Sequence, residues 1–348
     1  MGGFKVTDGS GHSYYGGFMT ALIIKIIAAL IIISVISMII DNRRFVVRTY
    51  RLRSRRIRRP VKLVFIADLH EKCYGKDNER LVEKIREQDP DAIIVGGDLV
   101  IYRKVNGLYK KAAKSGQEIT DPGTEWMKNS LSLMKKLTPI CPVWFVQGNH
   151  ELRLEYYEEL NCFNDRFIDE MEKAGVRMLR NGSTDPSRNG DSGIVLQGLE
   201  LPLKYYKKLR RTELSQEEIR SLIGEPDRSA YTVLASHIPE YFPAYARWGS
   251  DLCLCGHVHG GLMRLPVIGG VVGPKPSLFP RYSGGQYFYR AQTGEEKHLS
   301  SMILTCGLGM HFLPIRIFNP GEVSVAELLP ADQKQEESDG TRQDNSGD

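Results

Sequence analysis

Five short apolar runs in this chain each end in side chains able to bind a metal ion, and this repetition restricts the fold more than any other feature. Residues 61–67 lead into Asp68-Leu69-His70, and residues 91–95 into Gly96-Gly97-Asp98. Residues 142–146 lead through Gln147 into Gly148-Asn149-His150-Glu151, and residues 231–236 into His237. Residues 251–255 lead into Gly256-His257-Val258-His259-Gly260-Gly261. Runs of this length and apolar content predict strands buried on both faces, as in α/β proteins. In open α/β sheets, sites form outside the carboxyl ends of the strands. Of the eight histidines, His70, His150, His237, His257 and His259 fall at such ends, and His12, His298 and His311 do not. One such histidine is more often structural, and a lone His-x-His is a weak signal because alternate strand residues share a face. Five at equivalent positions, joined by Asp68, Asp98 and Asn149, point to one cleft.

Between these runs the periodicity is helical. Leu81, Val82 and Ile85 share one face behind Asp77 or Asn78 as cap, and further helices are predicted over 126–137 and 154–173. Ser215 and Glu218 form a capping-box pattern for a short helix ending near Gly224. More strands are predicted near 176–179, 193–197, 265–272, 286–290, 302–306, 315–318 and 323–328. Gly96, Gly97, Gly148 and Gly256 serve as turn-formers. The connection 101–123 is long for a compact domain, which predicts a functional loop or disorder; it carries Arg103, Lys104, Lys110, Lys111 and Lys114. A second stretch, Lys204-Tyr205-Tyr206-Lys207-Lys208 with Arg210 and Arg211, is either a solvated face or a contact for lipid headgroups or an anionic substrate.

Residues 18–40 contain one charge, Lys25, among 23 positions. As a helix at ~1.5 Å per residue this run is about 35 Å long, enough to cross a ~30 Å hydrocarbon core with some tilt. A cleaved signal would have a basic start and a small-residue site after the run, and neither is present. Between Asp41 and Lys62 stand Arg43, Arg44, Arg48, Arg51, Arg53, Arg55, Arg56, Arg58, Arg59 and Lys62. The positive-inside rule keeps this flank cytoplasmic and leaves residues 1–17 as a short outer tail. It also predicts contact with anionic lipid, and beside an apolar span it makes a nucleic-acid arm the weaker reading. Cys73, Cys141, Cys162, Cys253, Cys255 and Cys306 form no Cys-x-x-Cys pair and read as reduced structural residues. Residues 331–348 are polar and acidic and predict a disordered tail.

The donors at the strand ends are nitrogen and oxygen without thiolate, which suits Mn, Fe, Zn or Ni and excludes a cysteine-rich structural zinc site. They are too many for one tetrahedral ion and about right for two. A pair ~3.5–4 Å apart binds a phosphoryl group, generates hydroxide and stabilises attacking and leaving oxygens.

Asp-x-His, Gly-Gly-Asp, Gly-Asn-His-Glu, a later His and Gly-His-x-His, in that order, resemble the calcineurin-like metallophosphoesterase superfamily, over about residues 61–329. Gly307-Leu308-Gly309, Arg264-Leu265-Pro266 and Pro314-Ile315-Arg316 are similar to its membrane-anchored bacterial phosphodiesterase branch, which includes UDP-diacylglucosamine pyrophosphatase-like proteins. The resemblance implies an α/β fold, a four-layer αββα sandwich of two mixed sheets, here spanning 61–330 behind the transmembrane helix 18–40 and a basic segment 41–60. It implies two divalent ions. Asp68, His70 and His259 would hold the first, Asn149, His237 and His257 the second, and Asp98 would bridge them. His150 would stabilise the transition state or protonate the leaving oxygen, with Glu151 either orienting it or acting only as a helix-start acid. Hydroxide between the ions would attack, without a covalent intermediate. Where that branch often has Gln after the final Gly-Gly, this chain has Leu262. The activity implied is hydrolysis of a phosphodiester or pyrophosphate, in a substrate that is itself membrane-resident. A phosphomonoesterase or protein phosphatase is the nearest alternative, a nuclease is disfavoured by tethering, and a non-catalytic scaffold would lack at least one of these ligands.

Overall fold

The computed structural model describes residues 14–207, 212–265, 268–272, 278–293, 296–310 and 314–331. Helix α1 (Tyr14–Asp41) precedes β1 (Phe45–Ser54) and β2 (Val61–Ile66). Next come α2 (Glu79–Arg86), β3 (Ala92–Val95), α3 (Tyr102–Lys114), α4 (Lys128–Leu137), β4 (Val143–Phe145), α5 (Asn149–Tyr156) and α6 (Asn161–Lys173). The chain continues through β5 (Val176–Met178), β6 (Ser183–Thr184), β7 (Ile194–Gly198), α7 (Gln216–Ile223), β8 (Tyr231–Ala235), α8 (Phe242–Trp248) and β9 (Leu252–Cys255). It closes with β10 (Met263–Leu265), β11 (Gly269–Val272), β12 (Gly285–Thr293), β13 (Glu296–Leu304) and β14 (Gly321–Pro330).

Two six-stranded mixed sheets result, ordered β1-β14-β2-β3-β4-β5 and β12-β13-β9-β8-β7-β6, with β10 and β11 as a separate hairpin. In the first sheet β2, β3, β4 and β5 are parallel, and in the second β13, β9, β8 and β7 are parallel. The alternation of side chains along each strand builds four layers. Val64 and Ile66 face α2, α4 and α6, while Leu63 and Phe65 meet Val233, Leu252 and Leu254 between the sheets. Leu234, Cys253 and Cys255 take the outer face of the second sheet, against Ile219 of α7 and Phe242, Tyr245 and Trp248 of α8. Each fully buried aliphatic or Phe side chain here contributes about 1.5–3 kcal/mol of hydrophobic stabilisation. The cysteines are all reduced, and burial pushes the Cys253 thiol up to about 12, as expected of core residues.

Five expectations are corrected. The basic segment 41–60 is not a separate collar: β1 lies within it and pairs in parallel with β14 over ten residues, so the folded unit includes residues ahead of 61. Its arginines mask a period-two pattern in which Tyr50 and Leu52 turn toward the sheet interface while Arg51 and Arg53 are exposed. Many of those guanidinium groups are paired with carboxylates of this chain, Arg44 with Asp41, Arg48 with Glu322, Arg51 with Glu327, Arg56 with Asp251 and Arg58 with Asp191. The connection 101–123 holds α3, whose Tyr102, Val105 and Tyr109 lie on one helical face against the core. Gly107 and the lysines dilute that stripe in sequence. Helix 154–173 is two helices, α5 and α6, and α5 begins earlier, on Asn149. Finally, in place of one strand over 265–272, Met263–Leu265 and Gly269–Val272 are two strands paired antiparallel, and 315–318 makes only an isolated bridge from Ile317 to Met263.

The apolar helix stands outside this core: Ile23, Ile24, Ile27, Leu30 and Ile31 are each half exposed or nearly so. The acidic tail 332–348, the outer tail through residue 13, and Lys208, Arg210 and Arg211 lie outside the described residues. The rest of the basic–aromatic stretch is a short helical turn, Leu203–Tyr206, with Tyr205 and Tyr206 buried and Lys204 paired with Glu218.

Candidate metal centre

The carboxyl ends of β2, β3, β4, β8 and β9 meet, and the chain turns sharply as it leaves several of them. Asp68, His70, Asp98, His257 and His259 all have left-handed backbone, with φ of 55°, 47°, 57°, 75° and 53°. Such conformations cost of order 1–3 kcal/mol each in non-glycine residues and persist where the surroundings over-determine them. Here the surroundings do so. Asp68 N–H and His70 N–H donate to the Gly97 and Asp98 carbonyls, and Gly309 N–H donates to the Asp68 carbonyl. Gly97 and Gly148 are packed so closely that a Cβ on Gly97 would lie 2.2 Å from the Gly148 nitrogen.

The result is one buried cluster. Asp68, Asp98 and His237 are at most 1% exposed. Asp98 Oδ2 is 3.2 Å from His237 Nε2, 3.8 Å from His70 Nε2 and 3.9 Å from His150 Nε2. Asp68 Oδ1 is 3.7 Å from His259 Nε2 and 3.9 Å from His237 Nε2. Three overlapping groups have ligand atoms within 4.8 Å of one another: Asp68, His70 and His259; His70, Asp98 and His150; and Asp98, His237 and His257. Each of the candidate residues named from sequence is therefore in this cluster, Asn149 included, as described below. Among the other histidines, His298 bonds the Ser250 carbonyl on β13, and His12 and His311 lie outside the described residues.

The hydrogen bonds on the far side of each ring separate the histidines into two kinds. His70, His237 and His259 direct Nδ1 at the carbonyls of Val100, Gly96 and Gly309, at 3.2, 2.6 and 3.0 Å. A carbonyl only accepts, so Nδ1 carries the proton and Nε2 presents its lone pair to the cluster, the second-shell arrangement of metal-ligating histidines. His237 Nε2 is buried without a hydrogen-bond partner, as a ligand atom awaiting a cation would be. His150 is the reverse: its Nδ1 accepts from Tyr102 N–H at 2.8 Å, so in the neutral ring Nε2 carries the proton.

Asn149 and His257 complete the donor set. The Asn149 amide lies against His257 Nδ1, and with its NH2 on that side it donates there at 2.8 Å while its oxygen accepts from His150 N–H at 3.2 Å and from Arg153 at 2.6 Å. The residues present thus fit divalent ions.

Charge in the cluster is unevenly held. Burial pushes the Asp68 carboxyl up, to about 7. Burial acts on Asp98 too, but His237, His150 and His70 around it hold its carboxyl well below the usual range. Burial would lower His237, yet Asp98 raises it to about 10. Metal binding takes neutral imidazoles and ionised carboxylates, so metal affinity at this cluster falls as pH is lowered.

Glu151 is not simply a helix-start acid. Fully buried, it accepts backbone N–H groups from Asp98 (2.9 Å), Leu99 (2.8 Å), Val100 (3.2 Å) and Gly148 (3.1 Å), tying the loop after β3 to the loop after β4. Its partners are these amides, so it positions Asp98 rather than His150. Glu151→Gln would set an amide NH2 against some of these donors. We expect metal affinity to fall about 10–100-fold, as for second-shell partners generally, with a lowered melting temperature. Isothermal titration with manganese beside calorimetric melting checks this, and unchanged affinity would refute the positioning role.

Two further contributors are not evident from sequence. Arg316 is fully buried and donates to the carbonyls of Cys306, Gly307 and Gly309 at 3.1, 3.2 and 2.8 Å, supporting the carbonyl that holds His259. The Pro-Ile-Arg motif marks its position but not this role. Tyr206 walls the centre, its ring 5.5 Å from His257 and 6.1 Å from His237. Leu262 contributes main chain, its N–H bonded to Val272 and its carbonyl to Ile317.

The Calcineurin-like phosphoesterase family model matches residues 61–261, the span from the start of β2 to the end of the second histidine motif. Protein YpbG of Bacillus subtilis is 25% identical over 281 residues, covering 80% of this chain and 85% of that protein. Phosphodiesterase YaeI of Escherichia coli is 23% identical, covering 78% of this chain and 83% of its own. An uncharacterised metallophosphoesterase of Helicobacter pylori is 22% identical over 78% of this chain, which spans 61% of that longer protein. With a match across well over half its length and the strand-end ligands gathered as described, the chain belongs to the calcineurin-like phosphoesterase family and is a metal-dependent phosphoester hydrolase.

Proposed function

We propose that this protein is a two-metal phosphodiesterase, anchored in a membrane by α1, that cleaves a phosphodiester or pyrophosphate bond of a membrane-resident substrate from the cytoplasmic side. The observation that carries the catalytic part is the opposite protonation of the histidines: three rings face the centre with lone pairs and His150 with an N–H. Asp68, His70 and His259 would hold one divalent ion, Asn149, His237 and His257 the other, and Asp98 both, with manganese, iron or zinc suiting these donors. Such ions supply Lewis acidity toward phosphoryl oxygens and acidify water at neutral pH. His150 directs its Nε2–H at the phosphoryl group, where it would donate a hydrogen bond to the charge developing on the departing oxygen, and Tyr102 N–H keeps the ring in that tautomer.

Beside the centre lies a groove of about 940 Å³ between α5 and the turn at Leu203–Tyr206. Arg153, Lys204 and Lys207 stand along it with Glu155 and Glu158, and Tyr156, Tyr157 and Leu203 give it apolar walls. A group esterified beyond the scissile phosphate fits such a groove, which favours a diester over a monoester. The printed name of the Escherichia coli relative, a phosphodiesterase, agrees with this. For the membrane part, Met19–Asp41 is long and apolar enough to cross a bilayer, with its most apolar stretch outside the protein core, and the arginines following it favour a cytoplasmic domain.

Metal-loaded full-length protein, incubated with a membrane lipid extract and followed by mass spectrometry, should consume one phosphorus-containing lipid and release its water-soluble half. It should also turn over bis-p-nitrophenyl phosphate faster than p-nitrophenyl phosphate. A reversed ratio would establish the phosphomonoesterase reading. Diester turnover with every lipid left intact would remove the membrane-resident substrate.

A further inference from the structure

The end of the apolar helix is built into the metal centre. Asp41, the last residue of α1, is 1% exposed. Its Oδ2 accepts from Ser37 Oγ at 3.1 Å and from Asn319 N–H at 2.9 Å, and its Oδ1 accepts from Arg44 Nε at 2.8 Å. Ser37 Oγ in turn accepts from Phe318 N–H at 2.8 Å, and Asn42 just past the helix donates to the Pro314 carbonyl. The segment from 314 to 319 is thus held by the helix end through both side chain and backbone.

The same segment holds His259. Asn319 is fully buried, and its Nδ2 donates to the His259 carbonyl and the Gly261 carbonyl, each at 2.8 Å. Gly260, at φ 73°, lies so close that a Cβ there would stand 2.3 Å from Asn319 Oδ1, so only glycine admits this approach. From the other side Arg316 binds the Gly309 carbonyl that holds the His259 ring. His259 is therefore gripped at backbone and ring by two residues of one segment, and that segment is seated on Asp41. A passive tether needs no such contact, and a buried carboxylate costs free energy to maintain.

We propose that Asp41 and Asn319 form a positioning relay that makes the His257–Gly261 turn, and with it metal affinity, depend on the seating of the end of α1. The relay goes beyond the proposed function and rests on one part of it, the placing of a divalent ion at His259; it holds whether or not α1 lies in a bilayer and whatever the substrate is.

The test uses full-length protein in detergent, with manganese alone as probe. Manganese dissociation constants are measured by electron paramagnetic resonance, and melting temperatures with and without the ion. Asn319→Ala is expected to weaken manganese binding about 10–100-fold, the range for residues that orient metal ligands. Asp41→Ala should weaken it in the same direction, and Asp41→Asn, which keeps an oxygen to accept the Asn319 N–H, should return close to wild type. In both alanine variants the manganese-dependent rise in melting temperature should shrink, while the metal-free melting temperature changes less. Wild-type manganese affinity in Asp41→Ala would overturn the relay. So would an equal drop of the metal-free and metal-loaded melting temperatures, which marks ordinary packing. Failure on lipids would leave these readouts untouched, so the two proposals fail separately.

Discussion

Asp98→Asn should lose at least about 10³-fold in turnover on bis-p-nitrophenyl phosphate, together with much of its bound metal. Asp98 Oδ2 is within 3.9 Å of His237, His70 and His150, and no other carboxylate described reaches all three rings. Two cations a few ångströms apart repel each other, and a carboxylate between them offsets that repulsion. An amide of the same shape does not. Metal-ion stabilisation of transition-state charge amounts to several kcal/mol, and each ~1.4 kcal/mol is tenfold in rate. The fold itself should survive, because the asparagine oxygen still accepts the His150 N–H that Asp98 Oδ1 accepts at 2.8 Å. Elemental analysis of the purified variant, kinetics and circular dichroism check the three parts. Full metal content in Asp98→Asn would refute the bridging assignment.

His150→Ala should fall about 10²–10³-fold in turnover, the range for a lost hydrogen-bond donor to transition-state charge, while keeping its metal. A ring whose Nδ1 accepts from Tyr102 N–H presents an N–H, not a lone pair, to the centre. Its removal should therefore matter according to how much charge the leaving oxygen develops. The deficit should be largest for an alkyl ester and much smaller for a p-nitrophenyl ester, whose leaving group departs as a stable anion. An equal deficit on both substrates would point to charge stabilisation of the phosphoryl group instead. Metal loss equal to that of Asp98→Asn would make His150 a ligand and overturn the role.

The layers were readable where burial is two-sided. Strands β2, β3, β8 and β9 are continuous apolar runs because both of their faces are covered, one by the other sheet and one by helices. Strand β1 was not, since it lies at the sheet edge, with arginines on its exposed face answered by Glu322 and Glu327 of the neighbouring β14. Those partners are more than 270 residues away in the chain, so local composition suggested a lipid-facing collar instead. Helix α3 was missed for a related reason: only Val105 is fully buried along it, and a single thin stripe of Tyr102, Val105 and Tyr109 is easily lost among lysines.

By itself the sequence determined the inventory of the centre, because chemistry dictates residue type: carboxylates, imidazoles and one amide at the ends of apolar runs. Only the tertiary structure decided how these groups act. His-x-His on a straight strand would aim both rings to one side at a fixed spacing. Left-handed turns at both His257 and His259 instead bend the chain so that the two rings enter different parts of the cluster, His257 toward Asn149 and His259 toward Asp68. Which rings turn a lone pair toward the cluster and which one an N–H is set by backbone partners on remote loops, Val100, Gly96 and Gly309 against Tyr102. The dependence of His259 on the end of α1 spans 218 positions of sequence through Asp41 and Asn319, and hydrogen bonds over such a separation exist only once the chain has folded.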